Sequence, residues 1–178
     1  MRLNKQTGGD EVSSSTPDRS REYKTLCEWS PSRSLLLSIR SYQGYIGARN
    51  PVMVMMQKLA VLGHRFWSIV TGADIPLNCC IGGGLLMPHP NGIVIHPAAV
   101  IGPNCLIFQQ VTIGSRGDGA PIIGGHVDIG AGAKVLGKIS IGDNAIIGAN
   151  AVVLIDVPAG ATAVGVPATI VKPKTTCK

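Results

Sequence analysis

The chain has 178 residues, of which 23 are glycine, 45% are hydrophobic, 15% are charged and only 4% are aromatic. The hydrophobic share excludes a disordered polar chain, and the irregular glycine spacing excludes a collagen. The formal net charge of +6 is spread along the chain, so no basic stripe for nucleic acid is indicated. The protein must therefore bury apolar surface without large rings.

The five cysteines are odd in number and form no CxxC pair, which predicts neither a disulfide framework nor a zinc knuckle. They are Cys27, Cys79, Cys80, Cys105 and Cys177. Residues 1–22 lack the apolar core of a secretory signal. The most apolar stretch, residues 52–70, is interrupted by Gln57, Lys58, His64 and Arg65. We therefore expect a soluble cytoplasmic protein.

Two kinds of sequence meet near Asp74, because six of the seven aromatic residues precede it and 17 of the 23 glycines follow it. Residues 1–22, rich in Ser, Thr, Gly and charge, are predicted to form a disordered tail. Prolines directly after Ser30 and Asn50 predict two capped helices, the second ending near Gly72. This second helix is apolar on most sides, which favours packing between subunits or under the main domain. Contact with a membrane surface is the alternative.

Aliphatic residues recur at every sixth position in three runs after that boundary. The runs are Ile75, Ile81 and Met87; Ile95, Ile101, Ile107 and Ile113; and Ile123, Ile129, Val135, Ile141, Ile147 and Val153. Neither a helix nor an ordinary hairpin strand has this period. The repeat predicts a mainly β fold of about four coils: a left-handed parallel β-helix of hexapeptide repeats, preceded by a short α-helical N-terminal segment. We assign 23–73 to the helical segment, 74–171 to the β-helix and 172–178 to a C-terminal tail.

The register of the repeat breaks twice. The interval from Met87 to Ile95 is two residues too long, and the interval from Ile113 to Ile123 is four residues too long. Inserted residues in a solenoid leave its wall as surface loops, where function is often found. The first insertion follows His89 and the second spans residues 115–122.

The sequence resembles the acyl-coenzyme-A-dependent hexapeptide transferases, in particular their serine acetyltransferase-like branch, from about residue 72 to residue 174. The segments that carry the resemblance are Gly-Ala-Asp-Ile at 72–75, Pro-His-Pro-Asn-Gly-Ile-Val at 88–94, Gln-Val-Thr-Ile-Gly at 110–114, Gly-Ala-Gly-Ala-Lys-Val-Leu-Gly at 130–137, Gly-Ala-Asn-Ala-Val-Val at 148–153 and Gly-Val-Pro-Ala at 165–168. It implies an acetyl-CoA-dependent O-acyltransferase that forms a homotrimer, with its site in a groove between neighbouring prisms.

A histidine acts in that family as general base on the acceptor hydroxyl, and an acidic residue fifteen positions earlier orients it. His89 and Asp74 match these positions. The chemistry is sensible, because a neutral imidazole held by a carboxylate can take the proton of a hydroxyl that attacks a thioester. The resemblance thus implies catalytic roles for His89 and Asp74.

Two further histidines are expected to be structural, because His96 follows an inward isoleucine and His126 occupies a turn position where Asn is common. Three histidines nevertheless raise the alternative of a zinc enzyme of the γ-carbonic-anhydrase type. The close histidine pair of those enzymes is absent from this sequence. We therefore expect no metal.

Coenzyme A needs backbone partners for its pantetheine amides and cations for its phosphates. The resemblance implies the amide contacts at tight turns, namely at Ser115, Ala131 and Ala149. The phosphate contacts could come from Lys134, Lys172 and Lys174, for which ordinary solvated surface is the alternative.

Departures from the family bear on the acceptor. Serine acetyltransferases carry an aspartate where this chain has Pro88, and an Arg-His pair where it has Gly119 and Ala120. A similar loop occurs in colanic-acid-type acetyltransferases, so we expect a sugar or exopolysaccharide hydroxyl as acceptor, with Arg116 and Asp118 as candidate substrate-binding residues. The alternatives are serine O-acetylation in cysteine synthesis and a catalytically silent β-helix subunit. Membrane contact by the helices would place the protein at the inner face of the membrane.

Overall fold

The computed structural model describes residues 12–25, 28–117 and 119–171. It begins with a short 3-10 helix, Arg19–Glu22, followed by α1, Pro31–Gly44, and α2, Pro51–Thr71. The strands that follow are β1 (Cys80–Ile81), β2 (Val94–Ile95), β3 (Val100–Ile101), β4 (Leu106–Ile107), β5 (Thr112–Gly114), β6 (Ile122–Ile123), β7 (Asp128–Ile129), β8 (Lys134–Leu136), β9 (Ser140–Ile141), β10 (Ile146–Ile147), β11 (Val152–Val153), β12 (Thr162–Gly165) and β13 (Ala168–Val171).

The strands stack into three faces of a parallel solenoid. Face X contains β2, β5, β8 and β11; face Y contains β1, β3, β6 and β9; face Z contains β4, β7, β10, β12 and β13. Every strand pairs in parallel with its neighbour one coil away, except that β13 runs antiparallel to β12. Single bridges, Asp74 to Val94 and Leu86 to Leu106, complete the first coil on faces X and Z. The predicted parallel β-helix with a helical segment before it is confirmed.

The period of six is explained by an inward ladder of aliphatic side chains. Ile95 pairs with Ile113, Ile113 with Val135, and Val135 with Val153, so that each inward side chain packs on the one a coil above. All thirteen aliphatic residues of the three runs are buried. Branched aliphatic side chains fit this stack because their restricted χ1 suits a pleated strand.

We name each edge of the prism by the faces it joins in chain order: XY, YZ and ZX. Each turn at edges YZ and ZX has one position with left-handed backbone. At edge YZ this position is taken in three successive coils by Asn104, His126 and Asn144, with φ values of 61°, 55° and 59°. Asn tolerates this conformation better than most residues. The Nδ1 atom of His126 lies 2.9 Å from the Oδ1 atom of Asn144, which fits the structural role predicted for this histidine.

The two helices begin where the sequence predicts. Asn50 caps α2, its Oδ1 accepting from the backbone N–H of Val52 at 2.9 Å, whereas the Ser30 side chain makes no capping hydrogen bond to α1. Three apolar residues of α1, Leu35, Leu36 and Ile39, join the solenoid core. Neither helix combines the length and hydrophobicity that a membrane crossing needs, as far as the described residues extend.

Residues 13–22, which we call the N-terminal strap, lie along edge YZ instead of extending into solvent. The fully buried Asn104 holds them: its Nδ2 donates to the carbonyls of Ser13 and Thr16 at 2.6 and 2.8 Å, and its Oδ1 accepts from the Asp18 N–H at 2.8 Å. Glu22 accepts from the backbone N–H of Gly84 and forms a 2.9 Å ion pair with Arg40. The proposed division of the chain stays a prediction, and residues 1–11 and 172–178 lie outside the described part.

We expect Asn104→Gly to lower the free energy of unfolding by about 1–3 kcal/mol, because the strap loses its side-chain partners while the backbone keeps its conformation. Asn104→Ala should lower it by about 1 kcal/mol more, because alanine is strained at positive φ. Urea denaturation measures both, and hydrogen exchange at Ser13–Glu22 should rise in both variants. Equal stability of the two variants would contradict the backbone part of the argument.

Candidate active site

The first register break forms a surface loop at edge ZX, between Met87 and Val94. His89 lies exposed on this loop. The end of α2 supports the loop, since the Gly92 N–H donates to the Gly72 carbonyl at 3.0 Å. Gly72 has a φ of 64° and ends α2, so the helix terminus and the His89 loop are fixed together.

Asp74 lies beside the end of the same loop. Its N–H donates to the Ile93 carbonyl at 2.8 Å, and its carbonyl accepts from the Ile95 N–H at 2.9 Å. The backbones of the two coils are therefore adjacent, as the fifteen-residue spacing suggests. Both side chains are exposed, and no hydrogen bond joins Asp74 to His89 among the described residues. The orienting role of Asp74 stays a prediction.

A cavity of about 420 Å³ opens next to His89. It is lined by Trp29, Ser30, Pro31, Ser32, Val70, Thr71, Pro88, His89, Pro90 and Asn91. None of these lining residues carries a carboxylate, an ammonium or a guanidinium group. The cavity combines hydroxyl and amide groups with apolar surface, and His89 is the one proton acceptor of suitable chemistry in its wall.

Three of the residues predicted from the sequence to bind the cofactor lie at or beside edge ZX, where His89 also lies. Ala131 and Ala149 occupy turns of this edge in later coils, and the Asn150 N–H donates to the Ala131 carbonyl at 2.8 Å. Lys134 projects from face X toward the edge, where its Nζ donates to the Gln110 carbonyl at 2.7 Å and to the Thr112 hydroxyl at 3.1 Å. Lys172 and Lys174 lie outside the described residues.

The second register break lies at edge XY, on the other side of face X. Ser115 and Arg116 are exposed there, and the Arg116 N–H donates to the Gly119 carbonyl at 3.3 Å. Asp118 lies outside the described residues. One chain therefore does not bring Ser115 or Arg116 to His89, because the two edges are separated by the width of a face.

The remaining histidines of the β-helix lie at other edges. His96 follows Ile95 at edge XY, where its Nδ1 accepts from the Ala98 N–H at 3.2 Å, and His126 belongs to edge YZ. The imidazoles of His89, His96 and His126 therefore do not converge within one chain. Over residues 12–25, 28–117 and 119–171, no group of three His, Cys, Asp or Glu side chains could hold a metal ion.

Trp29 is a cavity residue that the sequence analysis missed. It precedes α1, and its ring packs edge-to-face against that of Trp67 on α2, with centroids 5.7 Å apart. Trp67 in turn meets Phe66 at 5.1 Å. Nothing in the local sequence signals this placement, because it depends on how the chain before α1 crosses the end of α2.

Two buried thiols of the solenoid offer no nucleophile. Burial, with the carboxylate of Asp74 as a second cause, raises the pKa of Cys79 to about 11. Burial also raises the pKa of Cys105 to about 11. Both thiols are therefore protonated at neutral pH, which disfavours thiolate chemistry. Cys27 and Cys177 lie outside the described residues.

Comparisons with known proteins find serine acetyltransferases. No protein-family model matches the chain. A serine acetyltransferase of Synechococcus elongatus is 37% identical over 144 residues, covering 77% of this chain and 59% of the relative. One of Helicobacter pylori (strain J99) is 47% identical over 103 residues, covering 56% of this chain and 60% of the relative.

Solved structures give the same result. The soybean serine acetyltransferase apoenzyme matches with a TM-score of 0.68 and 38% identity, over 80% of this chain and 58% of that one. A serine acetyltransferase complex with CoA matches with a TM-score of 0.67 and 36% identity, over 80% and 58%. The chain spans about three fifths of the length of the curated relatives described above.

The fold and its six-residue repeat define a hexapeptide-repeat β-helix protein. Within that class the chain is similar to serine acetyltransferases over about three fifths of their length. The closer likeness to colanic-acid-type enzymes expected from the loop at Arg116 receives no support from these relatives, which are named serine acetyltransferases.

We expect the free energy of unfolding to fall as pH rises from 9 to 11. The two buried thiols have a folded-state pKa of about 11 against an ordinary value of 9.0, so the unfolded chain loses these protons first. The stabilisation that the two protonated thiols contribute is complete below pH 9 and is lost as pH rises through 11. Denaturation at a series of pH values should show a smaller fall in the double variant Cys79→Ala/Cys105→Ala, and an unchanged slope would contradict this origin.

Proposed function

We propose that this chain is an O-acetyltransferase that uses acetyl-CoA, with His89 as general base. The observation that carries the proposal is the position of His89 in the wall of a cavity, on an edge whose later turns contain Ala131 and Ala149. The relatives support the reaction class, since all those described above are serine acetyltransferases and one neighbouring structure is a complex with CoA.

The reaction needs one proton to move from the acceptor to the leaving thiol. The imidazole of His89 takes the hydroxyl proton as the oxygen attacks the thioester carbonyl, forming the new ester bond. Cleavage of the carbon–sulfur bond releases coenzyme A as a thiolate, which the imidazolium then protonates. Asp74 would position the imidazole and stabilise its charged form.

Small side chains at Ala131 and Ala149 would let the pantetheine arm lie along edge ZX and pair with backbone amides. Lys134 would meet a phosphate as a point charge, exchanging its present bonds to Gln110 and Thr112 for a stronger charge-assisted one. Lys172, Lys174 and, at the other edge, Ser115 remain proposed cofactor contacts by resemblance.

A homotrimer is part of the proposal. His89 and the loop with Arg116 flank face X on opposite edges, so a single chain presents Ser115 and Arg116 at one edge and the other described site residues at or beside the other edge. A neighbouring copy whose edge XY lies against edge ZX would bring Ser115 and Arg116 to His89. The site would then lie between chains.

Serine is the first candidate acceptor. The relatives carry the name serine acetyltransferase, and a Neisseria gonorrhoeae structure in complex with serine matches with a TM-score of 0.68 and 37% identity, over 81% of this chain and 58% of that one. These names favour serine over the exopolysaccharide hydroxyl that we expected from the departures at Pro88, Gly119 and Ala120 and from the loop at Arg116.

A neutral polyhydroxyl acceptor such as a sugar is the second candidate, and the cavity lining favours it. A zwitterionic amino acid pays heavily for desolvation unless its charges are paired, and the residues that line the cavity offer no such partner. Pro88 stands where the serine acetyltransferases carry an aspartate. The flat indole of Trp29 with Ser30 and Ser32 suits a ring that bears hydroxyls.

We expect His89→Ala to lower kcat about 10²- to 10⁴-fold with either acceptor, because the hydroxyl loses its general base. Asp74→Asn should lower kcat less, since the imidazole remains. His126→Asn is the matched control, because Asn is tolerated at its positive φ, and it should keep full activity. The assay is release of coenzyme A thiol from acetyl-CoA, and an unchanged rate in His89→Ala would remove this residue as the base.

A screen of serine against nucleotide sugars and lipid-linked oligosaccharides identifies the acceptor. If serine is the acceptor, the wild-type chain acetylates it and Pro88→Asp lowers its KM about tenfold, because a carboxylate then pairs with the amino group. If a sugar is the acceptor, serine gives no turnover and Trp29→Ala raises the KM of the sugar. Turnover with none of these acceptors would contradict both candidates.

A further inference from the structure

The side of α2 that faces away from the protein is apolar. We define the outer stripe of α2 as five side chains at helical spacing, each more than half exposed: Met55 (55%), Leu59 (53%), Leu62 (64%), Phe66 (55%) and Ile69 (83%). The opposite side holds the two buried residues of the helix, Ala60 and Thr71. A helix packed on a globular domain normally shows the reverse pattern, with polar residues outward.

Such a stripe is more than scattered surface hydrophobicity. Single exposed apolar residues are normal, but a contiguous row marks a contact with another apolar phase. The stripe covers four turns of a helix that is about 30 Å long. Some partner is therefore needed to remove it from water.

The charges around the stripe indicate which partner. Residues 29–73 contain no Asp or Glu but five cations, of which Arg33 and Arg40 pair with Glu28 and Glu22. The other three, Arg49, Lys58 and Arg65, are exposed, and none of them forms an ion pair with a described residue. Lys58 and Arg65 are two turns apart and flank one side of the stripe.

We propose that the outer stripe of α2 binds an anionic lipid bilayer, with the helix lying in the plane of the surface. An apolar face bordered by cations and free of carboxylates is the pattern of an interfacial helix. Each cation near an anionic bilayer adds to the binding, and the stripe enters the boundary between headgroups and acyl chains.

A symmetric contact between the outer stripes of two copies fits this surface less well. If two outer stripes faced each other, the Lys58 and Arg65 side chains of both copies would meet with no carboxylate on either helix to pair with them. Like charges across an apolar interface oppose association. The lipid surface supplies the negative charge that the helix lacks.

The anchor would fix the orientation of the whole molecule. α2 ends at Gly72, which bonds the His89 loop, and Val70 belongs both to the end of the helix and to the cavity lining. Trp29, Phe66 and Trp67 form an aromatic cluster at this end, which suits the headgroup region. The cavity would therefore open at the level of the lipid headgroups. This inference rests on the helix alone and not on the proposed acetyl transfer.

The test is flotation of the full chain with vesicles of phosphatidylcholine alone and of phosphatidylcholine mixed with phosphatidylglycerol. The wild type should bind the mixed vesicles, and added salt should weaken binding. Lys58→Gln/Arg65→Gln should raise the half-saturating concentration of lipid at least about tenfold. Leu62→Gln/Ile69→Gln should abolish binding to the mixed vesicles.

Matched controls are Ile155→Gln for the apolar change and Lys138→Gln for the charge change, since both residues are exposed on the solenoid. These variants should bind as the wild type does. Failure of the wild type to bind mixed vesicles, or undiminished binding by both α2 variants, would overturn the proposal. A third outcome would also overturn it. If the wild type does not bind vesicles and light scattering shows that its oligomer breaks down in Leu62→Gln/Ile69→Gln, the stripe is a contact between copies.

Discussion

The stacking of one aliphatic side chain on the next, coil after coil, is the interaction on which the rest of this structure depends. Ile95, Ile113, Val135 and Val153 form one such column, and parallel hydrogen bonds hold the backbone of each coil to the next. Because the column fills the interior, the prism has no room for a cavity, and any binding site has to lie on its surface. The chemistry of the protein is therefore restricted to edges and loops.

Surface loops form where the chain between two successive inward aliphatic residues is longer than the six-residue repeat requires. The two extra residues before Ile95 place His89 outside the wall at edge ZX, and four extra residues after Ile113 place Arg116 outside at edge XY. Face X is rigid and keeps the two loops of one chain apart. A site that uses both loops would therefore need a second copy of the chain, so the proposed mechanism depends on formation of the oligomer.

Much of the fold could be predicted from the sequence because a period of six is long, regular and free of competing explanations. The thirteen aliphatic positions, the starts of α1 and α2 and the surface position of His89 were all predictable for this reason. Contacts between distant segments were not. Asn104 binds Ser13 over 91 residues of separation, and Trp29 reaches the cavity wall only because α1 and α2 cross near it. The relation of the Asp74 side chain to His89 also depends on exposed rotamers, which sequence spacing does not determine.

The antiparallel pairing of β13 with β12 has a consequence for solubility. A parallel solenoid ends in open strand edges that another copy could extend, coil on coil, into a fibre. On face Z the last parallel strand is covered by β13, whose reversed direction does not continue the six-residue register. At the opposite end, Leu35, Leu36 and Ile39 of α1 join the core beside the first coil. The chain thus covers the solenoid beside its first coil and on face Z of its last coil, which limits growth by end-to-end polymerisation at these places.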